Sequence, residues 1–340
     1  MLHRKQYRVA VRVTIMVLAL TLTACGTQEN TGSTESVKST ETVESIETME
    51  STETIENVEI IEAMVSESVA PQGTANVTPQ MQPVEYTNLQ QITLDPTWEY
   101  ADHSKINSGA AVLYPAPEES GRKGIIIGVN AGHGTAGGAK VKTLCHPDGS
   151  AKVTGGSTAA GATEAAAVSG GMTFQDGTPE REVTLRMAQI LRDKLLSSGY
   201  DVLMLRDSED VQLDNVARTV ICNNVADCHI ALHWDSGDGK NYDKGCFYIS
   251  VPETLKTMEP VASHWQQHDT LGTDLVEGLR EQGTMIYGIG NMSIDLTQTS
   301  YSTIPSVDME LGNAYSDHSD VVLEQLATGL LAGINTYFEQ

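Results

Sequence analysis

Gly124-Ile125-Ile126-Ile127-Gly128-Val129-Asn130-Ala131-Gly132-His133-Gly134 decides how this chain folds. The apolar, β-branched run has the length of a buried strand, and it ends in a Gly-His-Gly turn. In open α/β sheets ligands sit outside the carboxyl ends of strands, so a histidine placed there faces a crevice. Its flanking glycines let the backbone bend tightly around it. Taken alone, such a histidine reads first as a satisfied structural residue, with metal binding as the sharper alternative.

Downstream, strand-like and helix-like segments alternate. Helices are expected at Pro179–Ser198, with Leu185, Ala188, Leu191 and Leu195 on one face, at Val211–Asn224, Ser263–Glu281 and Val321–Phe338. Strands are expected at Asp201–Arg206, Cys228–His233, Cys246–Val251 and Ser306–Glu310. This alternation predicts an α/β domain over residues 123–340, a mostly parallel sheet flanked by helices on both faces. Residues 135–178, rich in Gly, Ala, Ser and Thr, form an insertion too long for an ordinary connection. Leaving from the Gly-His-Gly turn, it is either a rim over the crevice or a decoration.

Three more polar residues fall at strand ends or helix starts. Glu180 follows Pro179 at a helix start, where a carboxylate is favoured by the helix dipole alone. His233 closes the apolar run Ile230-Ala231-Leu232, and Glu310 ends Pro305-Ser306-Val307-Asp308-Met309. Two histidines and one carboxylate with an open fourth position can form a catalytic zinc site. A second carboxylate nearby can take a proton from an attacking water.

In order and spacing these pieces resemble the zinc-dependent N-acetylmuramoyl-L-alanine amidases of the amidase-3 family. The matching stretches are Val129–Gly134, Glu180-Arg181-Glu182-Val183-Thr184-Leu185, the set Arg206, Asp210, Leu213 and Arg218, then Ala231-Leu232-His233, and Pro305–Gly312. The resemblance implies a twisted sheet, Zn2+ as cofactor with His133, Glu180 and His233 as its ligands, and Glu310 as the catalytic carboxylate. It implies hydrolysis of the amide between N-acetylmuramic acid and L-alanine in peptidoglycan. The chain departs from the family where Asn130-Ala131 replaces Asp-Pro, Trp234-Asp235 replaces Ala-Asn, and Asn313 stands in place of an aromatic. If that Asp normally orients a ligand histidine, Asn130 can still accept a hydrogen bond.

Rival residues are weaker. Glu182 points roughly 200° around the helix from Glu180, and Glu164 lies in the insertion. His229 shares a strand face with His233 and reads as a packed histidine. Arg206 and Arg218 read as fold-stabilising. Cys145, Cys222, Cys228 and Cys246 allow three disulfide pairings in an exported protein, and none has paired zinc spacing.

Upstream, Arg4, Lys5, Arg8 and Arg12 precede the apolar run Val13–Ala24, the pattern of an export signal spanning 1–24. Leu22-Thr23-Ala24-Cys25 resembles a lipobox, so Cys25 is expected to carry lipid and hold the protein on the extracytoplasmic face of the cell membrane. Residues 25–95 are rich in Thr, Ser and Glu, with Glu every third residue from Glu41 to Glu62. That period drifts around a helix turn of about 3.6 residues, so a solvated stalk is expected. Residues 96–122 are expected to pack on the domain as an N-terminal arm. The net charge of −24, much of it in the stalk, argues against nucleic acid as a partner. The resulting expectation is a monomeric, lipid-anchored peptidoglycan amidase. A catalytically inactive wall-binding or regulatory module with the same fold is the alternative, and a stem-peptide carboxypeptidase a more distant one.

Overall fold

The computed structural model describes residues 86–237 and 239–339. The expected leader, Cys25 and the stalk up to residue 85 lie outside the described residues. In chain order the elements are β1 (Gln90–Ile92), β2 (Ala111–Tyr114), β3 (Ile126–Ala131), β4 (Lys142–Leu144), β5 (Glu164–Ala166), α1 (Glu180–Ser197), β6 (Asp201–Met204), α2 (Asn215–Val225), β7 (Cys228–Asp235), β8 (Cys246–Ser250), α3 (Val261–Glu281), β9 (Ile286–Ser293), α4 (Thr297–Tyr301), β10 (Ser306–Asn313) and α5 (Asp320–Phe338). No helix among the described residues is long and apolar enough to cross a membrane.

Eight strands form one sheet in the order β1-β2-β6-β3-β7-β10-β8-β9. The central run β6-β3-β7-β10 is parallel, as is β8-β9. The pairs β1-β2, β2-β6 and β10-β8 are antiparallel. From β3 the chain passes through α1 to β6 on one side, then through α2 to β7 on the other. Right-handed crossovers in opposite directions put their helices on opposite faces. Accordingly α1, α3 and α5 bury Leu191, Leu195, Leu275, Leu279, Leu330 and Ile334 against one face. Helix α2, with Ala217 and Ile221, packs on the other. The connection reverses beside β3, so a crevice opens at its carboxyl end.

Local chemistry explains the boundaries. In α1, Val183, Met187, Leu191 and Leu195 recur every fourth residue and are fully buried. Pro179 keeps an extended backbone at the cap, so Glu180 is the first helical residue. Helix α2 starts at Asn215 rather than Val211, because the Asp214 side chain caps it by accepting from Ala217 N at 2.8 Å. The same carboxylate accepts from Lys105 N and Ile106 N, tying the N-terminal segment down.

The folded unit begins before residue 123. Strand β1 lies inside the segment read as stalk and β2 inside the expected arm, and both extend the sheet. Strands of three and four residues carry too little periodicity to stand out. Strand β9 lies where no strand was expected; Gly288 and Gly290, both at positive φ, interrupt its alternation. Within the insertion, β4 and β5 pair as a separate two-stranded sheet.

Candidate functional site

Two of the site residues are set by the sheet. Strands β7 and β10 run parallel with His233 opposite Glu310 in register. Side chains alternate along a strand, so Asp308 shares the face of Glu310. His233 and Glu310 both lie toward the carboxyl ends of adjacent central strands, and β3, which leads into His133, is the next strand over.

The His133 turn is held differently. His133 has φ +66°, unusual for a residue with a side chain, so its surroundings must compensate the strain. Two buried guanidiniums do so. Arg218 donates to His133 O at 2.6 Å, Ala131 O at 3.1 Å, Leu213 O at 3.1 Å and Asn130 Oδ1 at 3.0 Å. Arg206 donates to Ala131 O at 3.1 Å and to Gly132 O at 2.9 Å. Burial and the nearby Arg206 lower Arg218 to about 9, and burial with Arg181 lowers Arg206 to about 10, so both stay cationic at neutral pH. Reading these arginines as fold-stabilising was incomplete, because what they stabilise is the turn carrying His133. Gly132 is required here, since a Cβ would lie 2.3 Å from the His233 ring.

Three donor atoms converge. His133 Nε2 is 2.9 Å from Glu180 Oε1, His233 Nδ1 is 3.2 Å from the same oxygen, and the two ring nitrogens are 3.1 Å apart. A tetrahedral zinc with bonds of about 2.0–2.1 Å needs donors about 3.3 Å apart, so the spacing fits such an ion. Among the described residues these three are the group of His, Cys, Asp and Glu able to hold a metal ion. The tautomer fits as well. His133 Nδ1 stands 3.0 Å from Ser169 O, a carbonyl that only accepts, and 3.1 Å from Ser169 Oγ; a proton given from Nδ1 to the carbonyl leaves the Nε2 lone pair for the cluster. Asn130 therefore does not orient His133; its Oδ1 faces Arg218.

Glu180 is 2% exposed. Burial alone raises its carboxyl, but the imidazoles of His133 and His233 more than reverse this and hold it well below the usual range. Its oxygens also accept from Met172 N at 2.8 Å and Trp234 N at 3.0 Å. Gly171 keeps the loop against them: a Cβ there would meet His133 Cδ2 at 2.8 Å. Burial and the adjacent Asp308 push the Glu310 carboxyl well above the ordinary value.

The cluster opens into a cleft of about 590 Å³ lined by His133, Glu180, His233, Asp308 and Glu310. Lys152, Gly156, Ser157 and Thr158 of the insertion form part of its wall, facing Asp295 and Leu296. The insertion is thus a rim of the cleft and not a decoration. A clasp fixes it: His146 Nε2 donates to Asp295 Oδ1 at 2.9 Å, and Val153 N to Asp295 Oδ2 at 2.7 Å.

The rivals lie elsewhere. Glu182 and Glu164 are exposed. His229 is fully buried with neither ring nitrogen hydrogen-bonded, and burial lowers it to about 3, a neutral core residue. Cys145, Cys222, Cys228 and Cys246 are free and buried. Sequence reading missed Asp308, although its spacing from Glu310 on an alternating strand was a usable signal. Ser169 was beyond reach, because its carbonyl and hydroxyl meet His133 Nδ1 only through the folded insertion, 36 positions away.

Comparison with known proteins agrees with this architecture. The fold is similar to that of the N-acetylmuramyl-L-alanine amidase Ami1 of Mycobacterium smegmatis, with a TM-score of 0.53 and 17% identity over 64% of this chain and 97% of that one. It is similar also to the apo form of Ami1 from Mycobacterium abscessus, with a TM-score of 0.51 and 20% identity over 63% and 99%. A D-alanine–D-alanine ligase of Francisella philomiragia is 25% identical over 168 residues, 45% of this chain, which spans about half of that relative (55%). The family profile described as N-acetylmuramoyl-L-alanine amidase matches residues 127–332, more than half of the 340 residues and all of the cleft's strand ends. The chain belongs to the N-acetylmuramoyl-L-alanine amidase family.

Proposed function

We propose that this protein cleaves the amide between N-acetylmuramic acid and L-alanine in peptidoglycan, using Zn2+ held by His133 Nε2, Glu180 Oε1 and His233 Nδ1. The observation that carries this reading is the convergence of those three donors at 2.9–3.2 Å at the mouth of one cleft. Zinc bound there supplies Lewis acidity, polarising a carbonyl and making water more acidic. The remaining steps belong to the chain. Glu310, opposite His233 on β10, takes the proton of the attacking water and delivers it to the departing amine of L-alanine. Buried Glu180 stays anionic and is held in place by Met172 N and Trp234 N. The insertion wall narrows the cleft around the glycan–peptide junction.

Ligands and carboxylate face one cleft together, which favours turnover over an inert wall-binding module. Digestion of purified peptidoglycan, with mass analysis of the products, tests this. Stem peptides beginning with L-alanine, lost on chelation and restored by zinc, are expected. Released single amino acids would instead indicate a carboxypeptidase, and no products from folded, zinc-loaded protein would leave the binding module. We also propose that Cys25 carries the lipid that places the enzyme at the membrane surface. Incorporation of labelled lipid, abolished by Cys25→Ser, is the expected result.

A further inference from the structure

The two histidines of the cluster are supported unequally. His133 gives its outer proton to Ser169 O. His233 presents Nδ1 to the cluster, so the proton on its Nε2 needs an acceptor. The Asp308 carboxylate stands there, with Oδ2 3.9 Å from His233 Nε2. Asp308 is 9% exposed, and its Oδ1 is buried without a hydrogen bond. A buried carboxylate oxygen without a hydrogen bond is costly, and such groups persist where something binds or pairs with them. It sits on the face of β10 that carries Glu310 and lines the same cleft.

We propose that Asp308 is the positioning residue for His233, accepting the Nε2 proton so that Nδ1 is directed at the metal. This rests on the zinc site proposed above. The separation of 3.9 Å exceeds a direct hydrogen bond, so the contact requires the two side chains to approach by about 1 Å. The carboxylate orients the ring and raises the basicity of the ligating nitrogen, as groups behind metal-bound histidines do. Glu310, in register with His233, stays free for the water. The two carboxylates of β10 thus divide the work, one holding a ligand and the other moving a proton.

The test compares Asp308→Asn, which keeps an acceptor, with Asp308→Leu, which has the same branched shape and none. Zinc affinity is measured on the purified chain by competition with a chromophoric chelator. The His233 tautomer is read by nitrogen–proton correlation spectra of the histidine rings. The expected result is zinc binding about 10–100-fold weaker for Asp308→Leu, with a mixed His233 tautomer, and most of the affinity recovered in Asp308→Asn. Equal zinc affinity in all three proteins overturns the proposal and leaves the zinc site intact. Equal weakening in both variants also overturns it, since acceptance of the proton is then not what matters. A wild-type chain that binds no zinc removes the zinc site itself, and Asp308 loses this role with it.

Discussion

The two sides of the cleft are built by different means. His233, Asp308 and Glu310 stand on β7 and β10, where strand register and alternation set their positions. His133 and Glu180 stand on a strained turn and at a helix start, where hydrogen bonds from distant residues set them. On the strand side one face of two neighbouring strands is sufficient. On the turn side Arg206, Arg218, Ser169 and Met172 are all needed. The lesson is that an α/β sheet delivers half of a metal site cheaply, and the other half requires a loop to be locked from behind.

Removing the strand side's reactive group gives the largest expected effect. Glu310→Ala should keep zinc and fold normally while turnover falls by about 10²–10⁴-fold, the usual contribution of a general base. Steady-state rates beside metal analysis check this, and near wild-type turnover would end the assignment. The turn side breaks through stability instead. Arg218→Met removes a donor from four buried oxygens, of which His133 O and Asn130 Oδ1 lose their side-chain donor outright, while Arg206 still donates to Ala131 O and Thr135 Oγ1 to Leu213 O. At about 1–3 kcal/mol for each group left unpaired, and with partial relaxation, a loss of about 3–5 kcal/mol is expected, with weakened zinc binding. Thermal and denaturant unfolding measure it.

The smallest effect concerns the rim. Burial raises Asp295, but His146 and Val153 N lower it further, so its net shift is downward. A carboxylate lowered in the native state stabilises it above the unfolded value of about 3.9 and loses that contribution as the pH falls through the native value. Asp295→Asn should cost about 1–3 kcal/mol near neutral pH and flatten the acid limb of the stability profile. Limited proteolysis within 135–178 should become faster in this variant at neutral pH. Unchanged proteolysis would mean that the clasp does not hold the rim.

The strands carrying the site were legible because a buried parallel strand is a short apolar run that ends in a polar residue. Val129, Leu232 and Met309 each belong to such a run; His233 and Glu310 follow directly, and His133 stands in the turn that ends the first. Asp308 was legible in principle through strand alternation. The insertion was placed correctly beside the crevice, but its clasp was not visible, since His146 and Asp295 are separated by most of the domain. Asn130 shows the reverse case, where similarity suggested a partner for a histidine and the side chain instead faces Arg218.

By itself, then, the sequence determined the alternating α/β order, the strand-end residues and the start of α1. Each depends on periodicity or capping within about twenty residues. Tertiary structure alone decided that β1 and β2 extend the sheet, that Ser169 meets His133 Nδ1, and that two buried arginines lock its turn. The contacts at the His133 turn join groups 36 to 88 positions apart, and β2 meets β6 across a similar length of chain. Hydrogen-bond geometry over such distances follows from how the layers pack, and no local pattern encodes it.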